Sequence, residues 1–179
     1  MLDRALTEGA ATKAAAFKRL AAEHLDESYR LARAILGSRA EAEDATHDAF
    51  ERAWQRWSTL RDPERFDAWF ARILVNSCRD RLRAAARRQV RDLSAELAGG
   101  GADLFGQTRD RVVLRHALAN LSPDHRLVVA LRFDRDLTTK EIARLLGIRE
   151  GTVHSRLHYA LRHLRTVLEG VEDEGTAHD

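Results

Sequence analysis

Residues 138–168 constrain the fold of this chain more than any other stretch, because they spell two helices joined by a glycine turn. Thr138-Thr139-Lys140-Glu141 has the form of a capping box: the Thr138 hydroxyl accepts from the Glu141 backbone N–H, and the Glu141 carboxylate reaches back. Ile142, Ala143, Leu145 and Leu146 supply the apolar face of a short first helix, and Gly147 the left-handed residue that ends it. A second helix restarts near Glu150, with Val153, Leu157, Ala160, Leu161, Leu164 and Leu168 on one side at helical spacing. The other side carries His154, Ser155, His158, Tyr159 and Arg162, which are donors and planar rings with no acid among them. The stretch holds six Lys or Arg against two acids, which favours a polyanionic partner over an ordinary hairpin with a solvated charged face. A helix that is apolar behind and rich in donors in front suits the major groove of DNA.

The rest of the chain points the same way. Charged residues make up 32% of the 179 and proline occurs twice, which favours an all-helical protein of one domain or two small ones. The net charge of +2 conceals strong segregation. From Arg72 to Arg91 seven arginines face the single Asp80, whereas the tail from Glu169 to Asp179 has five acids and no Lys or Arg. The lone Cys78 excludes an internal disulfide and a multi-cysteine zinc site, and its place in a helical pattern reads as a buried small residue. The N-terminus lacks the compact apolar segment of a signal peptide, and no apolar run approaches the ~20 residues that span a bilayer. The expected location is the cytoplasm.

An amphipathic helix is expected from about Lys13 to Leu36, burying Phe17, Leu20, Ala21, Leu25, Tyr29, Ala32, Ile35 and Leu36, with Gly37 closing it. Ser38-Arg39-Ala40-Glu41 is a second capping box and opens a helix through about Trp57. Its inner stripe is Ala42, Ala45, Ala49, Ala53 and Trp57, with Phe50 and Trp54 at the margin, and its outer side holds Glu41, Asp44, Asp48 and Glu51. Asp62-Pro63 marks another start, and the helix to about Arg88 buries Phe66, Trp69, Phe70, Ile73, Leu74 and Leu82. Gln89 to Asp110, with Gly99-Gly100-Gly101, reads as a flexible linker, although Val90 to Leu97 has the pattern of a short helix. Helices from about Arg111 to Leu121 and, capped by Ser122-Pro123, from Asp124 to Phe133 complete the plan.

An acidic helix, an aromatic and Arg-rich helix and a basic helix-turn-helix need one explanation. Three segments carry it: Ala42-Glu43-Asp44-Ala45-Thr46-His47-Asp48-Ala49-Phe50; Phe66-Asp67-Ala68-Trp69-Phe70-Ala71-Arg72-Ile73-Leu74-Val75-Asn76 with Asp80 and Arg83; and Glu141-Ile142-Ala143-Arg144-Leu145-Leu146-Gly147-Ile148 with Gly151-Thr152-Val153-His154-Ser155-Arg156-Leu157. In this order and spacing they resemble the extracytoplasmic-function (ECF, group IV) sigma factors of bacterial RNA polymerase, over about residues 15–90 and 110–168.

The resemblance implies two small helical domains joined by a flexible linker. They are a region 2-like domain at 10–88, the linker at 89–109, a region 4-like helix-turn-helix domain at 110–168 and an acidic tail at 169–179. It implies docking of Asp44, His47, Asp48 and Glu51 on the clamp helices of the polymerase's largest subunit, with His47 standing where the family usually has Gln. Carboxylates one helical turn apart suit pairing with Arg on a facing helix. For the downstream promoter element it implies Arg61, Asp62 and Arg65 in a base-capturing loop, with Arg72, Asn76, Arg79 and Arg83. Arg81, Arg87 and Arg88 extend that positive surface, since melting a duplex needs cations for the displaced strand. For the upstream element it implies Arg149, Gly151, Thr152, His154, Ser155, Arg156, His158, Tyr159 and Arg162. His154 and Tyr159 depart from the family's usual basic residues, and Arg149 replaces the usual small cap.

The implied partners are core RNA polymerase (clamp helices and flap), promoter DNA and an anti-sigma factor, with a monomer when free of them. A stand-alone helix-turn-helix regulator is the alternative, but it leaves the acidic and Arg-rich helices unassigned. His154 and His158 sit at i, i+4, a spacing that suits two metal ligands, yet no HExxH pattern or third ligand accompanies them. No metal, cofactor or enzymatic activity is therefore expected.

Overall fold

The structure, a computed structural model, describes residues 2–91 and 109–176. The described elements are seven α-helices and two short 3-10 turns. Helix α1 (Leu2–Leu36), α2 (Arg39–Gln55) and α3 (Phe66–Arg91) form the N-terminal half; α4 (Arg109–Ala119), α5 (Pro123–Phe133), α6 (Thr139–Leu146) and α7 (Glu150–Thr176) form the C-terminal half. Residues 92–108, with most of the expected linker and its glycines, lie outside the described residues.

Local signals place the helix ends. Gly37 at φ 73° closes α1, and the Ser38 hydroxyl accepts from the Glu41 N–H at 3.4 Å to open α2. The first helix starts at Leu2 rather than near Lys13, and no proline interrupts the alanine-rich run between them. Conversely, α2 ends at Gln55, and Trp57 opens a 3-10 turn instead of extending the helix. Asp62 caps a second 3-10 turn, Pro63–Arg65, that runs directly into α3.

In the N-terminal half the alanine stripe Ala42, Ala45, Ala49 and Ala53 is fully buried and lets α1 and α3 approach α2 closely. Phe66 fills the centre. Its ring stacks on Phe70 at 5.4 Å and meets Phe17 and Trp57 edge-on at 6.4 and 6.1 Å. Leu25 is 48% exposed, against expectation, while Ser28 and Leu31 are buried. The buried line of α1 runs through residues 28, 31, 32 and 35, and residue 25 lies at its margin, about 70° from its centre. Leu161 and Leu168, also expected inside, are exposed for the same reason beside the buried line Val153, Leu157, Ala160 and Leu164.

In the C-terminal half α7 packs against α4, α5 and α6. Arg126 of α5 donates to the carbonyls of Leu118 at 3.0 Å and Ala119 at 2.6 Å, satisfying the open end of α4. Burial lowers its pKa.

In the structure α5 packs on α1 and α3. Arg135, just beyond α5, is the polar centre of that contact. Its Nη2 donates to both oxygens of Asp67 at 2.9 and 3.1 Å, and its Nη1 pairs with Glu27. Burial pulls its pKa down, but the two carboxylates outweigh burial and hold it above the ordinary value. His24, Glu27 and Asp67 lie close enough together to resemble a metal site, and the guanidinium already serves as their counter-ion. Arg135→Ala should weaken the contact between the halves by about 1–2 kcal/mol, less than a fully buried pair because both carboxylates are about half exposed. The check is the radius of gyration from small-angle scattering, which should rise; an unchanged value would show that apolar packing alone holds the halves.

Candidate docking and nucleic-acid interfaces

The outer side of α2 gathers the expected acids, but it does not leave them free. Arg81 reaches across from α3, its Nη1 2.9 Å from Glu41 Oε2 and 3.5 Å from Asp44 Oδ2, and its Nη2 2.6 Å from Asp48 Oδ2. Asp44 remains 67% exposed, whereas Asp48 is 38% exposed and Arg81 24%. Arg81, expected on the positive surface of α3, is thus committed to the acids of α2 in the free protein. Helix α3 runs back along α2, as the Arg52–Ser77 bond at 3.0 Å further along the same seam shows, and this brings Arg81 within reach of the acids. Burial lowers the Arg81 pKa, but bonds from Asp48 and Glu41 overcome that and raise it above the ordinary value. His47 is exposed beside a shallow groove lined by Leu25, Tyr29, Thr46 and Phe50, and the exposed Glu51 accepts from Gln55 at 3.2 Å. Cys78 is fully buried next to this seam, and burial pushes its thiol up to about 12, so it is no nucleophile at neutral pH.

On the loop before α3, Arg61 and Arg65 are exposed, and Asp62 is tied to its own turn and to Arg65 at 3.4 Å. Arg72 and Arg83 are exposed on α3. Asn76 accepts from Arg79 Nη2 at 3.0 Å, which leaves the Asn76 amide N–H₂ as the donor available to a base. The Arg79 Nε is buried without a partner, so Arg79 is a partly buried orienting group more than a free cation. Trp69 and Phe70 pack with Phe66 in the core, as the apolar stripe implies.

The helix-turn-helix follows the expected chemistry closely. The Glu141 N–H donates to Thr138 Oγ1 at 3.3 Å and the Thr138 N–H to Glu141 Oε2 at 2.8 Å, completing the capping box. The Thr138 hydroxyl, which donates to Glu141 Oε2 at 2.7 Å, and then the Thr138 N–H lower the Glu141 pKa. Gly147 takes φ 67°, and the turn is braced by Thr139 Oγ1 donating to Glu150 Oε1 at 2.7 Å. Arg149, Gly151, His154, Ser155, His158, Tyr159 and Arg162 are exposed, and Thr152 is half-buried. No neighbouring atom lies within 4 Å of where a Cβ would stand on Gly151, so phosphate can approach the backbone there. Ser155 donates to the Gly151 carbonyl at 3.0 Å, which leaves its hydroxyl oxygen as an acceptor.

Arg156 is the exception. Its Nη2 lies 2.5 Å from Asp124 on α5 and the side chain is 24% exposed, so in the free protein it braces α5 against α7. The spacing along α7 carries no sign of this distant acid. His125 of α5 was also missed: its ring lies 6.4 Å from Tyr159, which meets His158 at 5.7 Å, extending the row of rings beyond one helix.

Comparison with known proteins agrees with this geometry. Residues 20–88 match the Sigma-70 region 2 family and residues 117–166 match Sigma-70, region 4. The ECF RNA polymerase sigma factor SigL of Mycobacterium tuberculosis is 38% identical over 164 residues, covering 89% of this chain and 93% of that protein. The RNA polymerase sigma-E factor of Streptomyces coelicolor is 34% identical over 145 residues, 80% of each chain. Among solved structures, the sigma factor RpoE bound to the anti-sigma factor NepR from Bartonella quintana shares the fold, with TM-score 0.68 and 24% identity over 86% of this chain and 96% of that one. CnrH in complex with the cytosolic domain of CnrY gives TM-score 0.60 and 27% identity over 86% and 88%. Two matched regions in order, on an all-α fold, with a relative covered almost end to end, place this chain in the ECF family of RNA polymerase sigma factors.

Proposed function

We propose that this sigma factor divides polymerase docking and promoter recognition among three exposed surfaces, and that it works by binding and positioning, without a catalytic site of its own. The observation that carries this reading is the separation of charge by helix: acids on the outside of α2, cations along α3 and its preceding loop, and neutral or basic donors on the front of α7. Core RNA polymerase docks through Asp44, His47, Asp48 and Glu51, on its clamp helices, while the C-terminal half meets its flap. The loop at 61–65 and the side chains of Arg72, Asn76, Arg79 and Arg83 hold the melted downstream element. Arg149, Gly151, Thr152, His154, Ser155, His158, Tyr159 and Arg162 read and position the upstream element. Residues 10–88 and 110–168 act as the two domains. No helix among the described residues is long and apolar enough to cross a membrane, and the proposed place of work is the cytoplasm, with the chromosome. One structural neighbour is held by the anti-sigma factor NepR, and sequestration of this chain by such a partner is part of the same proposal.

Run-off transcription with core polymerase over a randomised promoter library tests the reading. Transcripts should start behind one pair of spaced elements, and their absence would return the chain to a stand-alone DNA-binding role. Within that assay His154 and Arg162 separate specification from positioning. The exposed His154 ring offers both a donor and an acceptor to base edges, whereas Arg162 offers a cation to phosphate. His154→Ala should lose about 1–3 kcal/mol on the preferred upstream sequence and alter the preference. Arg162→Ala should weaken all sequences alike and reduce the salt slope by about one contact. An equal loss on every sequence for His154→Ala would reject base reading.

A further inference from the structure

The bond pattern at Arg81 is one-sided for each acid. The guanidinium takes Glu41 through Oε2, Asp44 through Oδ2 and Asp48 through Oδ2, one oxygen apiece. A carboxylate has about four lone-pair sites on its two oxygens, so each acid keeps a second oxygen for another donor. The three acids stand at successive turns of α2, and without a cation between them they would repel one another. Arg81, at 24% exposure, is the least exposed member of the cluster, and Asp44, at 67%, keeps most of its side chain open to a partner.

We propose that Arg81 is a positioning residue for polymerase docking: it turns one oxygen of Glu41, Asp44 and Asp48 inward and so presents the other oxygens, at helical spacing, to a basic helix. This rests on the reading of the α2 face as the docking surface. A partner that meets pre-set carboxylates orders fewer side chains on binding, and this slows dissociation. The same cation lowers the negative potential of the patch, so it slows electrostatic encounter. The two effects act on different rate constants, and that makes the role measurable.

The test follows binding of the full-length protein to core RNA polymerase by stopped flow, at low and near-physiological salt, with thermal unfolding recorded for every variant. Arg81→Met keeps the aliphatic stem packed on the α2–α3 seam and removes the guanidinium. Dissociation should become about tenfold faster, association somewhat faster at low salt only, and the net affinity weaker near physiological salt. Arg81→Lys supplies one point charge that cannot bridge Glu41 and Asp48 together, and should fall between wild type and Arg81→Met. In an Asp44→Asn/Asp48→Asn background, Arg81→Met should add almost nothing to the dissociation rate, a coupling that a merely structural role would not produce.

Unchanged dissociation in Arg81→Met, or in Arg81→Lys should the Met variant not fold, overturns the positioning role. So does tighter net binding, which would make Arg81 a competitor of the polymerase's own cations. If the aspartate variant binds core as wild type does, the docking reading itself fails and the proposal with it. Loss of binding in the aspartate variant with wild-type kinetics in Arg81→Met leaves docking in place and removes only the positioning role.

Discussion

Replacing Phe66 by Ala is expected to destabilise the N-terminal half by about 3–5 kcal/mol, the cost of deleting a large ring from a packed core. Phe66 is 1% exposed, and Phe17, His24, Trp57, Trp69 and Phe70 all pack against it. Removing it leaves a cavity where α1, α3 and the Trp57 turn meet, and rigid helices close such a space only in part. Because small domains are stable by only about 5–15 kcal/mol, the variant should sit close to the threshold of folding. Urea unfolding followed by tryptophan fluorescence checks this, since Trp57 and Trp69 report directly on the site. A loss below about 1.5 kcal/mol would mean that the aromatic cluster rearranges to fill the space. The residue also ends the turn that carries Arg61, Asp62 and Arg65, so promoter opening should suffer even in molecules that remain folded.

The second large effect concerns the docking face. Asp44→Asn combined with Asp48→Asn should weaken binding to core polymerase by about 3–5 kcal/mol, between a hundredfold and a few thousandfold, because each charge-assisted bond is worth about 1.5–3 kcal/mol when desolvated. Asn is the right replacement because it keeps an acceptor for Arg81, whereas Ala would strip a half-buried cation of its partners and mix a folding defect into the result. The free protein should unfold within about 1 kcal/mol of wild type, since Asn keeps an acceptor for Arg81 and a part-exposed ion pair contributes little. Titration of core polymerase with labelled protein measures the loss. Wild-type affinity would reject this surface.

Much of the fold was legible from the chain because its signals are local. Ser38, Asp62, Ser122 and Thr138 cap the elements that follow them, and Gly37 and Gly147 take positive φ, as their residue types imply. The alanine stripe of α2 and the apolar side of α3 were equally readable, since a period of 3.6 residues marks a buried face without reference to what covers it. Errors arose where that face is wide or turns along the helix, as at Leu25 and Leu161.

The three arginine partnerships were not legible. Arg81 with Glu41 and Asp48, Arg135 with Glu27 and Asp67, and Arg156 with Asp124 each join residues far apart in the chain. Seven arginines between Arg72 and Arg91 look alike in sequence, and any of them has the length to meet an acid or a phosphate. Only the packing of α3 back along α2 decides that Arg81 reaches the acids while Arg72 and Arg83 stay exposed. The sequence by itself determined the helices, their ends and their buried faces, because hydrogen bonds and side chains within four residues settle them. The tertiary structure alone decided which charges are spent inside the molecule and which remain for a partner, because long-range electrostatic pairing depends on distances that exist only after the helices have packed.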